Sequence, residues 1–98
     1  MSYGKNEVER KTRLEYRRLG WKPVRSGWPD YLFFRNTPED GVQLMAVEVK
    51  SKKNGLSFEQ WQMLSLLSTV MRVVVAKEHA DGSIHEYTFD PKRQLYGR

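Results

Sequence analysis

The chain has 98 residues, 39% hydrophobic and 30% charged, which makes one domain (residues 1–98) around one modest core. It contains no cysteine, which excludes disulfides and Cys-ligated zinc, and no run approaches the ~20 apolar residues of a membrane span, so a soluble, cytoplasmic protein with no membrane partner is expected. With 17 Lys and Arg against 12 Asp and Glu, the net charge of +5 favours a polyanionic partner such as nucleic acid, where phosphate neutralisation dominates affinity.

A polar helix is expected over residues 5–19, ended by Gly20 at the C′ position. Val8, Thr12, Tyr16 and Leu19 fall at helical spacing and form its expected buried stripe, while Arg10, Lys11, Arg13, Arg17 and Arg18 make a basic outer surface. "WKPVR" at 21–25 reads as a short strand, placed at a sheet edge because Pro23 has no N–H to donate. A strand over 30–35, the turn "NTPEDG" at 36–41 and a strand over 42–50 predict an antiparallel hairpin. Ser57 then reads as a helix N-cap, Gln60 completes an S-x-x-Q capping box, and Leu56 with Trp61 forms a hydrophobic staple. Trp61, Leu64 and Leu67, with Met63 beside them, are expected to pack on the sheet. "MRVVVA" at 71–76 is apolar enough for a central strand. "ADGS" at 80–83 turns the chain into a last strand, "IHEYTF" at 84–89. The order α-β-β-β-α-β-β, with a right-handed parallel crossover around the second helix, predicts a single-domain α/β fold with a mixed sheet.

Two carboxylates stand oddly in this pattern. Asp30 opens the apolar run "DYLFFR" directly after Pro29, although Asp is depleted in strands and rarely buried unpartnered. Glu48 and Lys50 lie two apart in "AVEVK" and so share one face of their strand. If Asp30 lies across from the end of that strand, the two carboxylates converge and repel unless a cation sits between them. A hard divalent ion, Mg²⁺ or Mn²⁺, suits such all-oxygen ligation. With an adjacent lysine to orient a metal-bound water, the pattern fits metal-assisted hydrolysis of a phosphodiester.

The ordered set "VE" at 8–9, "GW" at 20–21, "SGWPD" at 26–30, "VEVKSKK" at 47–53 and "LSFEQ" at 56–60 resembles the PD-(D/E)xK nuclease superfamily. Within it the chain is most similar to the VRR-NUC branch and the archaeal Holliday-junction resolvases, over residues 4–76. The resemblance implies a three-layer, restriction-endonuclease-like core and a divalent-metal-dependent, structure-specific DNA endonuclease of DNA repair or recombination. It implies that Asp30, Glu48 and the backbone carbonyl of Val49 ligate the metal, that Lys50 positions the water, that Glu9 completes the acidic cluster, and that Gln60 lies beside the active site. Small members act on branched DNA, and symmetric cutting of a four-way junction takes two active sites, hence a homodimer.

Each residue also has a plainer reading. Asp30 suits a turn after Pro29, and Glu48 with Lys50 suits an exposed ion pair. Asn6-x-x-Glu9 fits a helix cap, with Glu7 as the alternative acid, and the capping box explains Gln60 without chemistry. Arg10, Arg25, Lys52 and Lys53 are candidate DNA contacts or simply solvated charges. Trp28 belongs to the core or stacks on an unpaired base. His79 and His85 flank a turn with no ligand spacing and are expected in solvent. The alternatives in function are a non-cleaving DNA-binding module of the same fold, or a flap or restriction-type nuclease.

Overall fold

The structure, a computed structural model, describes residues 5–93. It is a small α/β domain whose elements are α1 (Lys5–Arg18), β1 (Tyr31–Thr37), β2 (Gly41–Lys50), α2 (Phe58–Leu67), β3 (Arg72–Glu78) and β4 (Ile84–Thr88). The four strands form one mixed sheet in the order β1-β2-β3-β4. β1 and β2 pair antiparallel, β2 and β3 parallel across the α2 crossover, and β3 and β4 antiparallel. No helix among the described residues is long and apolar enough to cross a membrane. Residues 94–98, the end of the stretch "PKRQLYGR" at 91–98 with its three basic residues, lie outside the described residues.

The alternation along the strands sorts the apolar side chains to two faces. Ala46, Val73 and Val75 join Leu56 and Leu64 of the α2 segment and Phe89 in the main core, with Trp61, Leu67 and Met71 packed against it. Val47, Val74 and Ala76 form a smaller cluster on the opposite face, with Met45 beside it. β3 is the central, almost wholly buried strand that its apolar sequence predicts. The α2 start is also as expected: Ser57 accepts from the Gln60 backbone N–H, and the Gln60 side chain accepts from the Ser57 N–H.

Two expectations fail. Residues 21–25 form no strand, so the element order is α-β-β-α-β-β. Pro23 lacks a donor, and the Trp21 N–H is already used to close α1. It donates to the Tyr16 carbonyl while the Gly20 N–H donates to Arg17, a Schellman closure with Gly20 at φ 97°. Downstream, Gly27 is pressed against the first turn of α2 (below), so the segment is held as an irregular arm.

The second failure concerns the stripe on α1. Val8, Thr12, Tyr16 and Leu19 are all exposed, because α2 is the helix that packs on the sheet and α1 has no comparable packing on any element. The described residues thus form two layers, sheet and α2, where three were expected. Asn6 lies inside α1 rather than at its cap.

Candidate active site

The β1–β2 register places Tyr31 opposite Val47, which sets Asp30 across from Glu48 just beyond the paired segment. There the ladder gives way to side chains. The Asp30 backbone N–H donates to Glu48 Oε1 at 3.2 Å, and the Val49 N–H donates to Asp30 Oδ2 at 2.8 Å. Each carboxylate therefore caps the other strand's free backbone donor.

On its inner side Glu48 meets α2. Its Oε2 accepts from Gln60 Nε2 at 2.8 Å and lies 3.2 Å from Lys50 Nζ. Lys50 Nζ in turn donates to Gln60 Oε1 at 2.7 Å, the same oxygen that accepts from the Ser57 N–H. Gln60 thus performs both roles that the sequence left open, closing the helix cap and contacting the Glu48–Lys50 pair. Among the described residues, no buried side-chain polar atom is left without a partner.

Glu48 is the one buried charged residue described, with 2% of its surface exposed. Burial pushes its carboxyl pKa up, the hydrogen bond from Lys50 opposes that, and the Asp30 charge raises it again. A carboxylate so placed gains from any cation that joins it.

The arm that delivers Asp30 is fixed by a residue that sequence reasoning quoted without assigning a role. Gly27 has φ 86°, and a Cβ there would lie 2.1 Å from the Glu59 carbonyl oxygen and 2.8 Å from the Gln60 nitrogen. Only glycine allows the arm this close to the turn of α2 that carries Gln60. The Gly-Trp-Pro-Asp run was the available signal, since a glycine two residues before a rigid proline is where tight backbone approach is expected.

Other candidates lie elsewhere. Glu9 faces Arg25 across α1 and the arm (3.7 Å), and Glu7 pairs with Arg10 (2.8 Å). No group of three or more His, Asp or Glu side chains able to hold a metal is present among the described residues, so neither Glu7 nor Glu9 joins Asp30 and Glu48. Lys52 and Lys53 are exposed on the loop after β2, which Lys77 ties down through the carbonyls of Ser51 and Asn54. Val49 enters the site through its N–H. Trp28 is exposed rather than part of the core. His79 and His85 are exposed as expected, but the β3–β4 hairpin brings their rings to 4.0 Å between centroids, tilted by 39°, a proximity their sequence separation concealed.

The site so defined is a carboxylate pair at a strand end, with a lysine and a glutamine behind it. Comparison of the chain with protein-family models, curated proteins and solved structures gives no match.

Proposed function

We propose that the chain is a divalent-metal-dependent, structure-specific DNA endonuclease that hydrolyses phosphodiester bonds, with branched DNA such as a four-way junction as its substrate. The observation that carries this reading is the convergence of Asp30 and Glu48, one of them buried with a raised pKa, against Lys50 and Gln60. Two converging carboxylates held in a fold are costly unless a cation offsets them.

The donor set fits Mg²⁺ or Mn²⁺. Magnesium is commonly held by only one or two carboxylates, its other positions going to water and phosphate oxygens, so Asp30 and Glu48 suffice, with the Val49 backbone beside them. Bound there, the ion would polarise the phosphoryl oxygen and acidify a water.

The remaining work belongs to the chain. Gln60 holds Lys50 by accepting from its Nζ, so the ammonium is fixed beside Glu48 rather than free on its four-carbon stem. From there it orients the attacking water and balances negative charge gathering on the phosphate. Glu9 is a further candidate acid, one that must leave Arg25 to take part. Arg10, Arg25, Lys52 and Lys53 are proposed to draw in the DNA backbone, consistent with the net charge of +5. The finer fold assignment, a VRR-NUC-like member of the PD-(D/E)xK superfamily, belongs to the same proposal, as do homodimerisation and a cytoplasmic location in DNA repair or recombination.

The test is incubation of the purified protein with Mg²⁺ or Mn²⁺ on linear, flap and four-way DNA, with Glu48→Ala as control. Cleavage favouring the junction, lost in the variant and with chelator, is expected. Binding of every substrate with cutting of none overturns the enzymatic reading in favour of a binding module.

A further inference from the structure

The chain holds two histidines, His79 and His85, and the proposed nuclease chemistry uses neither. Both belong to the β3–β4 hairpin. The ladder pairs Lys77 with His85 and Glu78 with Ile84, and the His79 N–H goes on to donate to the Ser83 carbonyl at 2.8 Å. His79 therefore stands opposite Ser83, with His85 two residues further along the facing strand. Residues two apart on a strand project from the same face. The two imidazoles are thus diagonal neighbours on one side of the hairpin, a spacing that aromatic side chains can bridge. Their ring centroids lie 4.0 Å apart with the planes tilted by 39°, and both residues are exposed.

The turn between the strands orients one of the rings. Asp81 Oδ1 accepts from the Ser83 N–H at 2.9 Å and from the Ser83 hydroxyl at 2.6 Å, and Ser83 Oγ lies 3.1 Å from His85 Nε2. An ionised carboxylate only accepts, so the hydroxyl proton goes to Asp81 and the Ser83 oxygen is left to accept from His85 Nε2–H. A neutral imidazole carries one proton, so Nδ1 of His85 keeps its lone pair and is the nitrogen able to bind an ion. Metal-ligating histidines are oriented in the same way, by an outer partner that holds the other ring N–H.

We propose that His79 and His85 together bind one imidazole-preferring divalent cation, of the class Zn²⁺, Ni²⁺ and Cu²⁺, with water in the remaining positions. Two nitrogens bound to one tetrahedral zinc at ~2.0–2.1 Å stand ~3.3 Å apart. Rings with centroids 4.0 Å apart reach that separation by side-chain rotation alone, which is fast for exposed residues. Imidazole suits these ions whereas Mg²⁺ takes oxygen ligands, so the site differs in chemistry from Asp30–Glu48 and is independent of the nuclease reading. No third His, Asp or Glu side chain gathers with the pair among the described residues, so the chain supplies two ligands and the ion is exchangeable. Once bound, it clasps the edge strand β4, exposed along its whole length, to β3.

The test uses protein without a polyhistidine tag, in saturating Mg²⁺ to occupy oxygen sites. Zn²⁺ is titrated in, followed by calorimetry and by proton NMR of the imidazole C–H signals. With two histidines in the chain, those signals report this site alone. The expected result is one Zn²⁺ per chain, with both imidazoles shifting along the same isotherm. Cu²⁺ should bind more tightly than Zn²⁺ and Mn²⁺ more weakly, the order of first-row affinities for nitrogen ligands. Ser83→Ala keeps both ligands but releases the His85 ring, and should weaken Zn²⁺ binding ~10-fold. His79→Ala and His85→Ala should each weaken it further, with circular dichroism confirming that these exposed substitutions leave the fold intact. Separate isotherms for the two imidazoles overturn the inference, as does a shift of one ring alone. So does a single-histidine variant that binds as wild type, one ion per two chains, or no shift at millimolar Zn²⁺.

Discussion

Gly27 is the residue through which fold and site can be separated by one methyl group. Gly27→Ala must overcome two costs. A non-glycine residue at φ 86° is strained by about 1–2 kcal/mol. In addition, its Cβ would lie 2.1 Å from the Glu59 carbonyl oxygen and 2.4 Å from the carbonyl carbon, backbone atoms that cannot rotate away. Relief requires the arm to move by about 1.3 Å or more to reach ordinary contact distance. That displacement pulls on the Asp30 N–H to Glu48 and Val49 N–H to Asp30 hydrogen bonds, each a bond to a carboxylate worth about 1.5–3 kcal/mol. Loss of even one brings the total to about 3 kcal/mol or more.

Gly82→Ala isolates the first cost, because Gly82 has nearly the same φ, 87°, and no atom within 4 Å of its would-be Cβ. In a domain of this size 1 kcal/mol moves Tm by about 4–8 °C. Thermal and urea unfolding followed by circular dichroism should show Gly27→Ala losing about twice as much stability as Gly82→Ala, or failing to fold while the control folds. Equal losses for the two variants would refute the claim that Gly27 is pinned by α2, and with it the account of how Asp30 is delivered.

Ser57→Ala should cost about 1 kcal/mol, as lost N-caps do. Gln60→Ala should cost about 1–2 kcal/mol more by urea unfolding, because Gln60 also holds Glu48 and Lys50; equal losses would reduce it to a cap. Glu48, whose pKa is raised in the fold, binds its proton more tightly there than in the unfolded chain. Its contribution to stability is therefore fully present below about pH 4.3, the ordinary Glu value, and is lost as pH rises through the folded value. Urea unfolding of wild type against Glu48→Gln across that window should show wild type losing ground as pH rises, while Mg²⁺ affinity by calorimetry rises over the same range. Asp30→Asn keeps an oxygen to accept from the Val49 N–H but removes the charge that raises Glu48. It should leave metal-free stability unchanged or up to ~1 kcal/mol higher while abolishing stabilisation by Mg²⁺, and a loss of more than ~1 kcal/mol would mark the pair as structural instead.

What could be read from sequence was whatever local chemistry decides. The Ser57–Gln60 cap, the Gly20 closure of α1, the hairpin between β1 and β2, and the burial of β3 all follow from propensities and periodicity over a few residues. The Asp30–Glu48 juxtaposition was also legible, because a hairpin register is set by its turn and the alternation of its strands. The failures lie where one feature competes with another at longer range. "WKPVR" has the composition of an edge strand, but its first N–H is taken by α1 and its continuation is drawn to α2, neither of which a window of residues reveals. The α1 stripe was found as a pattern and expected to be buried, and the structure leaves Val8, Thr12, Tyr16 and Leu19 exposed. Periodicity identifies a face that seeks burial without saying which surface buries it. His79 and His85 were missed as a pair for a related reason, since their contact depends on ladder register across a turn.

The site and the fold share one network, and that sharing bears on what the carboxylates are for. Asp30 and Glu48 each serve as an acceptor for the other strand's backbone, so the pair does structural work, and a neutral amide could do part of it. Glu48 could equally be an apolar residue on the α2 face, like Ala46 two positions before it, without loss of core. Instead the chain keeps a buried charge, sets a second one against it, and draws on a helix cap and a lysine to hold it in place. Stability alone gives no reason for that choice. A binding module that only holds DNA gains nothing from negative charge at its centre, because phosphates are repelled by it. The proposed cation would answer both objections together: it would neutralise the pair that burial and mutual repulsion make unfavourable, and it would let a phosphate approach a strand end that is otherwise acidic.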